Sequence, residues 1–132
     1  MTELPINDAT TFGDASFSGT ALTTLNLFDE APKPDPTRPR PAVKRALSAD
    51  GANLILFSFL PGQDLPDHKA AHPITVQMLQ GAVTFKCGEH EHVLTPGRIV
   101  HLPAYVPHAV TCSEEPALML LTMLTPHTGA NV

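Results

Sequence analysis

Hydrophobic and polar positions alternate over short distances through the second half of the chain. The clearest apolar runs are residues 54–60, closed by Pro61-Gly62, and residues 74–79, closed by Gly81. Further runs of the same kind are residues 82–87, 91–94, 98–102, 109–112 and 117–124. Turn signals recur at the spacing of an all-β sandwich or barrel, and no helical period of three or four appears between residues 50 and 125. The pattern therefore predicts an all-β domain.

The first 42 residues follow a different pattern and are interpreted as an irregular N-terminal extension. Residues 32–41 contain five prolines in ten positions, which excludes a continuous helix and favours an extended, proline-rich arm. This arm is interpreted as a spacer or as a segment lying on the domain, with a ligand for a proline-recognising partner as the alternative. The predicted organisation is thus an extension over residues 1–42, a β-domain over 43–127 and a tail over 128–132.

Composition and charge narrow the class of protein. The 132 residues carry a formal charge of −5, which argues against nucleic acid or an anionic membrane as the main partner. The longest apolar run, residues 117–121, is far too short to span a bilayer, and no signal peptide is visible. Two cysteines cannot form a disulfide framework and favour a reducing compartment. We expect a soluble, cytoplasmic protein that binds neither nucleic acid nor membrane.

The seven histidines all lie between His68 and His127. His68 and His72 have the same strand parity, so both project from one face if the segment between them is extended. His108 follows a proline-bracketed turn and can return to that face from another strand. Three imidazoles in this arrangement would hold zinc, nickel, iron or copper and leave positions for water or substrate. The alternative is a set of scattered surface or core histidines, which would result if Pro73 bends the segment and breaks the parity.

Two groups of residues around these histidines resemble known motifs. Gly62, His68 and Gly81 have the spacing of the first motif of the cupin superfamily. Gly97, Pro103 and the run Tyr-Val-Pro-His at 105–108 resemble its second motif. The resemblance covers roughly residues 43–125 and implies a cupin-type β-barrel or jelly roll of two antiparallel sheets with a central pocket.

The chain departs from the cupin motifs at several positions that usually carry chemistry. Ala70 stands where the resemblance implies a second histidine ligand, and Ile74 stands where it implies a glutamate ligand. Cys112 replaces a frequent asparagine, and Tyr105 replaces the usual glycine of the second motif. We therefore ask whether His72, two residues beyond the lost histidine position, replaces the missing ligand.

These observations lead to two hypotheses for function. In the first, His68, His72 and His108 hold a divalent transition metal in a small-molecule pocket, with oxygenase or isomerase-type chemistry if the protein is an enzyme. Further pocket residues are then predicted at His101, as a proton shuttle, at Tyr105, as a cap, and at Cys112. In the second, the pocket is metal-free and belongs to a non-catalytic binding or sensor module, whose histidines only form hydrogen bonds to the ligand.

The resemblance also implies an assembly. Cupin-like barrels commonly pair through their sheets, so a homodimer is expected here. The apolar cluster of the N-terminal extension would be buried at its interface; it consists of Leu22, Leu25, Leu27 and Phe28. An interaction protein acting through its proline-rich arm is the third functional class.

Overall fold

The computed structural model describes residues 3–127, which form a two-sheet β-structure with one short 3-10 helix over Ala9–Phe12. The strands in chain order are β1 (Ile6–Asn7), β2 (Phe17–Gly19), β3 (Ala42–Ala49), β4 (Ala52–Phe59), β5 (Asp64–Ala70), β6 (Ile74–Gln80), β7 (Val83–Cys87), β8 (His90–Leu94), β9 (Ile99–Leu102), β10 (His108–Thr111) and β11 (Ala117–Met123). Within this range, no helix has the length and apolar character needed to cross a bilayer.

The strands form a five-stranded sheet in the order β1-β5-β10-β7-β8 and a six-stranded sheet in the order β2-β3-β4-β11-β6-β9. Strands β3 to β11 pair antiparallel wherever they are neighbours. The prediction of an all-β fold with two packed sheets is confirmed. The N-terminal extension is more regular than its sequence suggests, because β1 and β2 add parallel edge strands to the two sheets.

The main hydrophobic core lies between the two sheets and follows the alternation of side chains along each strand. Ile55, Phe57 and Phe59 of β4 point into it, as do Met119 and Leu121 of β11. The intervening residues of these strands point to the outer face of the six-stranded sheet. The alternation that predicted these strands therefore also assigns their inner face.

The outer face of the six-stranded sheet carries a second apolar cluster, which consists of Ala46, Leu56, Leu118 and Leu120. The chain covers this cluster itself, because Leu25 and Leu27 of the extension pack against it. Leu22 and Phe28 remain 96% and 57% exposed. Two of the four apolar residues of the extension thus pack against their own chain. The homodimer remains a prediction.

The proline-rich arm is fixed to the barrel by the buried side chain of Gln63, at the turn between β4 and β5. Its Oε1 accepts a hydrogen bond from the Leu60 N–H at 2.8 Å. Its Nε2 donates to the carbonyl oxygens of Asp35 and Arg38 at 2.9 and 3.0 Å. These bonds hold the residues just before Arg40 in place and so position Arg40 beside β5.

Candidate functional site

His68 of β5 and His108 of β10 face each other inside the barrel and form what we call the imidazole pair. The two residues are direct partners in the antiparallel ladder, which places their side chains on the same face of the five-stranded sheet. Their ring centroids are 4.2 Å apart. The ring of His108 also stacks on Phe85 of β7, at 5.4 Å and an interplanar angle of 12°. The pair and the aromatic ring that supports it therefore come from three neighbouring strands.

Each ring of the pair is oriented by a hydrogen bond to a backbone carbonyl two residues earlier. Nδ1 of His68 lies 2.8 Å from the Pro66 oxygen, and Nδ1 of His108 lies 2.9 Å from the Val106 oxygen. Because a carbonyl oxygen only accepts, each Nδ1 carries the proton and donates it. In the neutral rings each Nε2 then presents a lone pair. Within residues 3–127, neither Nε2 has a hydrogen-bond partner.

His108 is held in its neutral form. The residue is 2% exposed, and burial lowers the pKa of its imidazole to about 4. The bond to the Val106 carbonyl opposes this shift, while the neighbouring His68 adds to it and Asp67 opposes it. At neutral pH the buried member of the pair is therefore an uncharged hydrogen-bond acceptor at Nε2.

The imidazole pair lines a cavity of about 290 Å³, which lies at the lower end of the size range of ligand cavities, roughly 300–1,000 Å³. Buried apolar side chains form its floor, namely Phe57, Ala70, Leu121 and Met123. Exposed residues form its rim, namely Pro5, Arg40, Val43, Pro66 and Asp67. The cavity thus combines a mostly apolar interior with two imidazole acceptors and an open, polar mouth.

Two parts of the N-terminal extension complete the cavity, and the sequence pattern predicts no site residue in either. Asn7 and Phe12 form one wall, where Phe12 makes an edge-to-face contact with Phe57 at 5.8 Å. On the rim, Arg40 pairs with Asp64 at 2.7 Å. In the sequence, Arg40 stands out only as one of several neighbouring basic residues, which include Arg38 and Lys44. Nothing in the pattern indicates that these segments reach the site.

His72 is not brought to the imidazole pair. The prediction required an extended segment from His68 to His72, but β5 ends at Ala70 and the chain bends at residues 71–72. His72 instead lines a separate open depression together with Arg45 and Asn53. Its strand parity with His68 is lost at the bend, so the expected third imidazole lies outside the cavity.

His101 also lies away from the pair. It pairs with Thr75 across β9 and β6, on the strand face opposite Val100 and Leu102, which pack against the core. Its Nδ1 donates to the Ile74 carbonyl at 3.0 Å. The structure therefore places the proposed proton shuttle on the outer face of the six-stranded sheet.

The other two predicted pocket residues have structural surroundings of their own. Tyr105 is 55% exposed and adopts a φ of 65°, while its N–H donates to the Ala70 carbonyl at 2.7 Å. Cys112 is buried, and its thiol donates to the Glu115 carbonyl at 3.1 Å. Burial raises the pKa of this thiol, with a further contribution from Glu115. Neither residue is among those that line the cavity.

The donor set of the cavity does not fit a resident metal ion. Among residues 3–127, no group of three or more His, Cys, Asp and Glu side chains is placed to hold one. The cavity supplies two imidazoles, whereas catalytic zinc sites use three protein ligands. The positions where the cupin motif implies the other two ligands are Ala70, which lines the cavity, and Ile74, which is buried in the core.

Solved structures with the same architecture support this description of the fold. An RmlC-like cupin protein of Desulfovibrio desulfuricans matches with a TM-score of 0.68 and 23% identity, over 80% of this chain and 99% of its own. The TT1209 protein of Thermus thermophilus matches with a TM-score of 0.66 and 27% identity, over 77% and 98%. The DMSP lyase DddQ of Ruegeria pomeroyi DSS-3 matches with a TM-score of 0.60 and 22% identity, over 69% and 50%.

A comparison with curated proteins gives no match. The sequence profile of the Cupin domain, in contrast, matches residues 55–123. This match runs from β4 to β11, includes both histidines of the imidazole pair and covers more than half of the 132 residues. The resemblance found in the sequence is thereby confirmed, and the chain belongs to the cupin family.

Proposed function

We propose that the cavity binds a small, largely apolar molecule through hydrogen bonds to the imidazole pair, without a metal ion. The observation that carries this proposal is that both imidazoles line the cavity while neither Nε2 atom has a hydrogen-bond partner among the described residues. Polar groups that line a cavity in a folded protein are normally satisfied by protein, water or ligand. A ligand that donates to these atoms would supply the missing partner.

The walls of the cavity support binding of an apolar body. Phe57, Leu121 and Met123 form a buried floor, and covering it with a ligand removes apolar surface from water, at roughly 25 cal/mol per Å². The polar groups of the interior are few and held in fixed orientations. This combination of apolar walls and a few oriented polar groups is typical of small-molecule sites.

The state of His108 favours binding over proton transfer. Burial lowers its pKa to about 4, so at neutral pH its Nε2 is a weak base, although it remains a good acceptor. Oxygenase or isomerase-type chemistry in the form predicted from the sequence depends on a metal that the donor set does not accommodate. The metal-free binding or sensor module is therefore the better-supported hypothesis of the two.

A binding experiment with a matched pair of variants tests the proposal. The probe is phenol, which has an apolar body and one hydroxyl donor, titrated into ¹⁵N-labelled protein in EDTA and followed by amide chemical shifts. Val43 lies on the rim and is 38% exposed, so Val43→Trp should close the mouth and weaken phenol binding at least about tenfold. Val93 is 53% exposed on β8 and does not line this cavity, so Val93→Trp is the control.

Two results would contradict the proposed function. One is the absence of saturable shifts around β5 and β10 up to millimolar phenol. The other is equal phenol affinity in the Val43→Trp and Val93→Trp variants. Independently, protein purified without a histidine tag should contain far less than one equivalent of transition metal by elemental analysis. A full equivalent that EDTA removes together with phenol binding would overturn the metal-free site.

A further inference from the structure

The two acceptors of the imidazole pair define the chemistry of the ligand more narrowly. We infer that the cavity selects a neutral molecule with two adjacent hydrogen-bond donors on a small apolar body, of which a vicinal diol is the simplest case. This inference rests on the proposed function, because it concerns the same cavity. It adds a requirement for a second donor that a general apolar pocket would not impose.

The requirement for donors follows from the way each ring is held. Both Nδ1–H groups are used by the carbonyls of Pro66 and Val106, so each ring, in its neutral form, has only the Nε2 lone pair to offer a ligand. A ligand group that only accepts would face these lone pairs and gain nothing from them. A hydroxyl or N–H group would satisfy one ring.

The requirement for two adjacent donors follows from the spacing of the rings. The centroids of His68 and His108 are 4.2 Å apart, so a single small functional group lies close to both rings at once. If one hydroxyl donates to one Nε2, the other Nε2 is left without a partner beside an apolar body, which is unfavourable. Two hydroxyls on adjacent carbons can donate to both.

The surroundings of the cavity favour a neutral ligand over an ionic one. A carboxylate or phosphate would meet two lone pairs inside and the Asp67 carboxylate at the rim. The one rim guanidinium, that of Arg40, already pairs with Asp64 at 2.7 Å. An ammonium group would have to give up its hydration above a floor of buried apolar side chains. A neutral ligand avoids both costs.

Three ligands with nearly the same body test the inference on the native protein. Catechol has two adjacent hydroxyls, phenol has one, and guaiacol has the second hydroxyl blocked by a methyl group. Affinities are measured by chemical-shift titration with EDTA and a reductant throughout, so that chelation and oxidation of catechol do not contribute. Catechol should bind about 2- to 10-fold more tightly than phenol, the range expected for one additional neutral hydrogen bond. Guaiacol should bind no more tightly than phenol.

A pair of variants then assigns the second donor to its acceptor. In His68→Phe the ratio of catechol to phenol affinity should fall to about one, because one acceptor is removed. His92 on β8 is exposed and does not line the cavity, so His92→Phe should keep the native ratio. If His68→Phe does not fold, the guaiacol comparison on the native protein carries the test.

The outcomes separate this inference from the proposed function. If phenol binds but catechol binds no more tightly, or if guaiacol equals catechol, the two-donor inference is overturned while the cavity remains a binding site. An unchanged catechol-to-phenol ratio in folded His68→Phe also overturns it. If no member of the series binds, the proposed function itself fails.

Discussion

Replacing His108 should change how the stability of the protein depends on pH. Burial lowers the folded-state pKa of this imidazole to about 4, against an ordinary value of 6.5. Between these values the unfolded chain binds a proton that the folded chain does not, so stability falls as the pH falls from 6.5 towards 4. The full effect of the shift is about 3 kcal/mol, and most of it, about 2–3 kcal/mol, is already lost at pH 4.5.

The assay is urea unfolding at pH 7 and pH 4.5 for the native chain and for His108→Phe. Phenylalanine keeps a ring against Phe85 but leaves the Val106 carbonyl without its donor, so absolute stability will change at both pH values. The informative quantity is the loss of unfolding free energy between pH 7 and 4.5, which should be about 2–3 kcal/mol smaller in the variant. His92→Phe, at an exposed position, should show the native loss.

Parallel pH profiles for the native chain and His108→Phe would refute this reasoning. Such a result would mean that the imidazole is protonated as readily in the folded protein as in the unfolded chain. His108 would then be protonated in the folded protein between pH 4 and 6.5, and its Nε2 would not be an acceptor in that range. A direct check is the NMR titration of its ring carbon-bound protons, which should show a midpoint near pH 4.

Three further predictions concern backbone strain and the lost metal ligands. Gly81 has a φ of 73°, and an added Cβ would clash with the Pro116 carbonyl oxygen. Gly81→Ala should therefore lower the free energy of unfolding in urea by at least about 3 kcal/mol, against about 1–2 kcal/mol for Gly88→Ala, where nothing lies within 4 Å. Tyr105 has a φ of 65°, so Tyr105→Gly should raise the free energy of unfolding in urea by up to about 1 kcal/mol, whereas Tyr105→Ala should not. Ala70→His, which adds an imidazole to the cavity wall, should bind zinc at least about tenfold more tightly than the native chain in calorimetric titrations. Equal costs at the two glycines, a Tyr105→Ala gain as large as that of Tyr105→Gly, or unchanged zinc affinity would contradict the respective argument.

Sequence patterns predicted the barrel well because the signals for its strands and turns lie within short stretches of the chain. In β4 and β11, alternating apolar residues assign the inner face, and glycine or proline marks the turn that follows. The approach of His68 and His108 was predicted through the spacing of the two cupin motifs. That spacing reflects the antiparallel register of β5 with β10, which the whole fold imposes.

The position of His72 could not be predicted from parity, because parity holds only as far as the strand continues. A proline does not by itself end the strand, because Pro66 lies inside β5 at a position without a ladder partner, next to the irregularity in the β5–β10 register. The strand instead ends at Ala70, whose carbonyl accepts a hydrogen bond from the Tyr105 N–H, while the Ala71 N–H donates to the carbonyl of Asn7. These are long-range contacts that no local pattern encodes.

The cavity wall contributed by the N-terminal extension was missed for the same reason. Asn7 enters the site because β1 pairs with the far end of β5. Arg40 enters it because Gln63 fixes the preceding turn of the arm. Both depend on contacts across more than twenty residues of sequence. A segment whose composition predicts an irregular arm therefore contributes part of the cavity wall.

The departures from the cupin motifs have a common physical consequence. Ala70 and Ile74 replace an imidazole and a carboxylate by apolar side chains, one in the cavity wall and one in the core. Removing the carboxylate takes away the charge that would balance a divalent cation, and removing the imidazole takes away the third ligand. The two retained imidazoles then lie in an apolar setting that keeps His108 neutral. Their backbone hydrogen bonds leave both Nε2 atoms available as acceptors. In the function that we propose, the same two histidines that would bind a metal in a complete motif recognise hydrogen-bond donors instead.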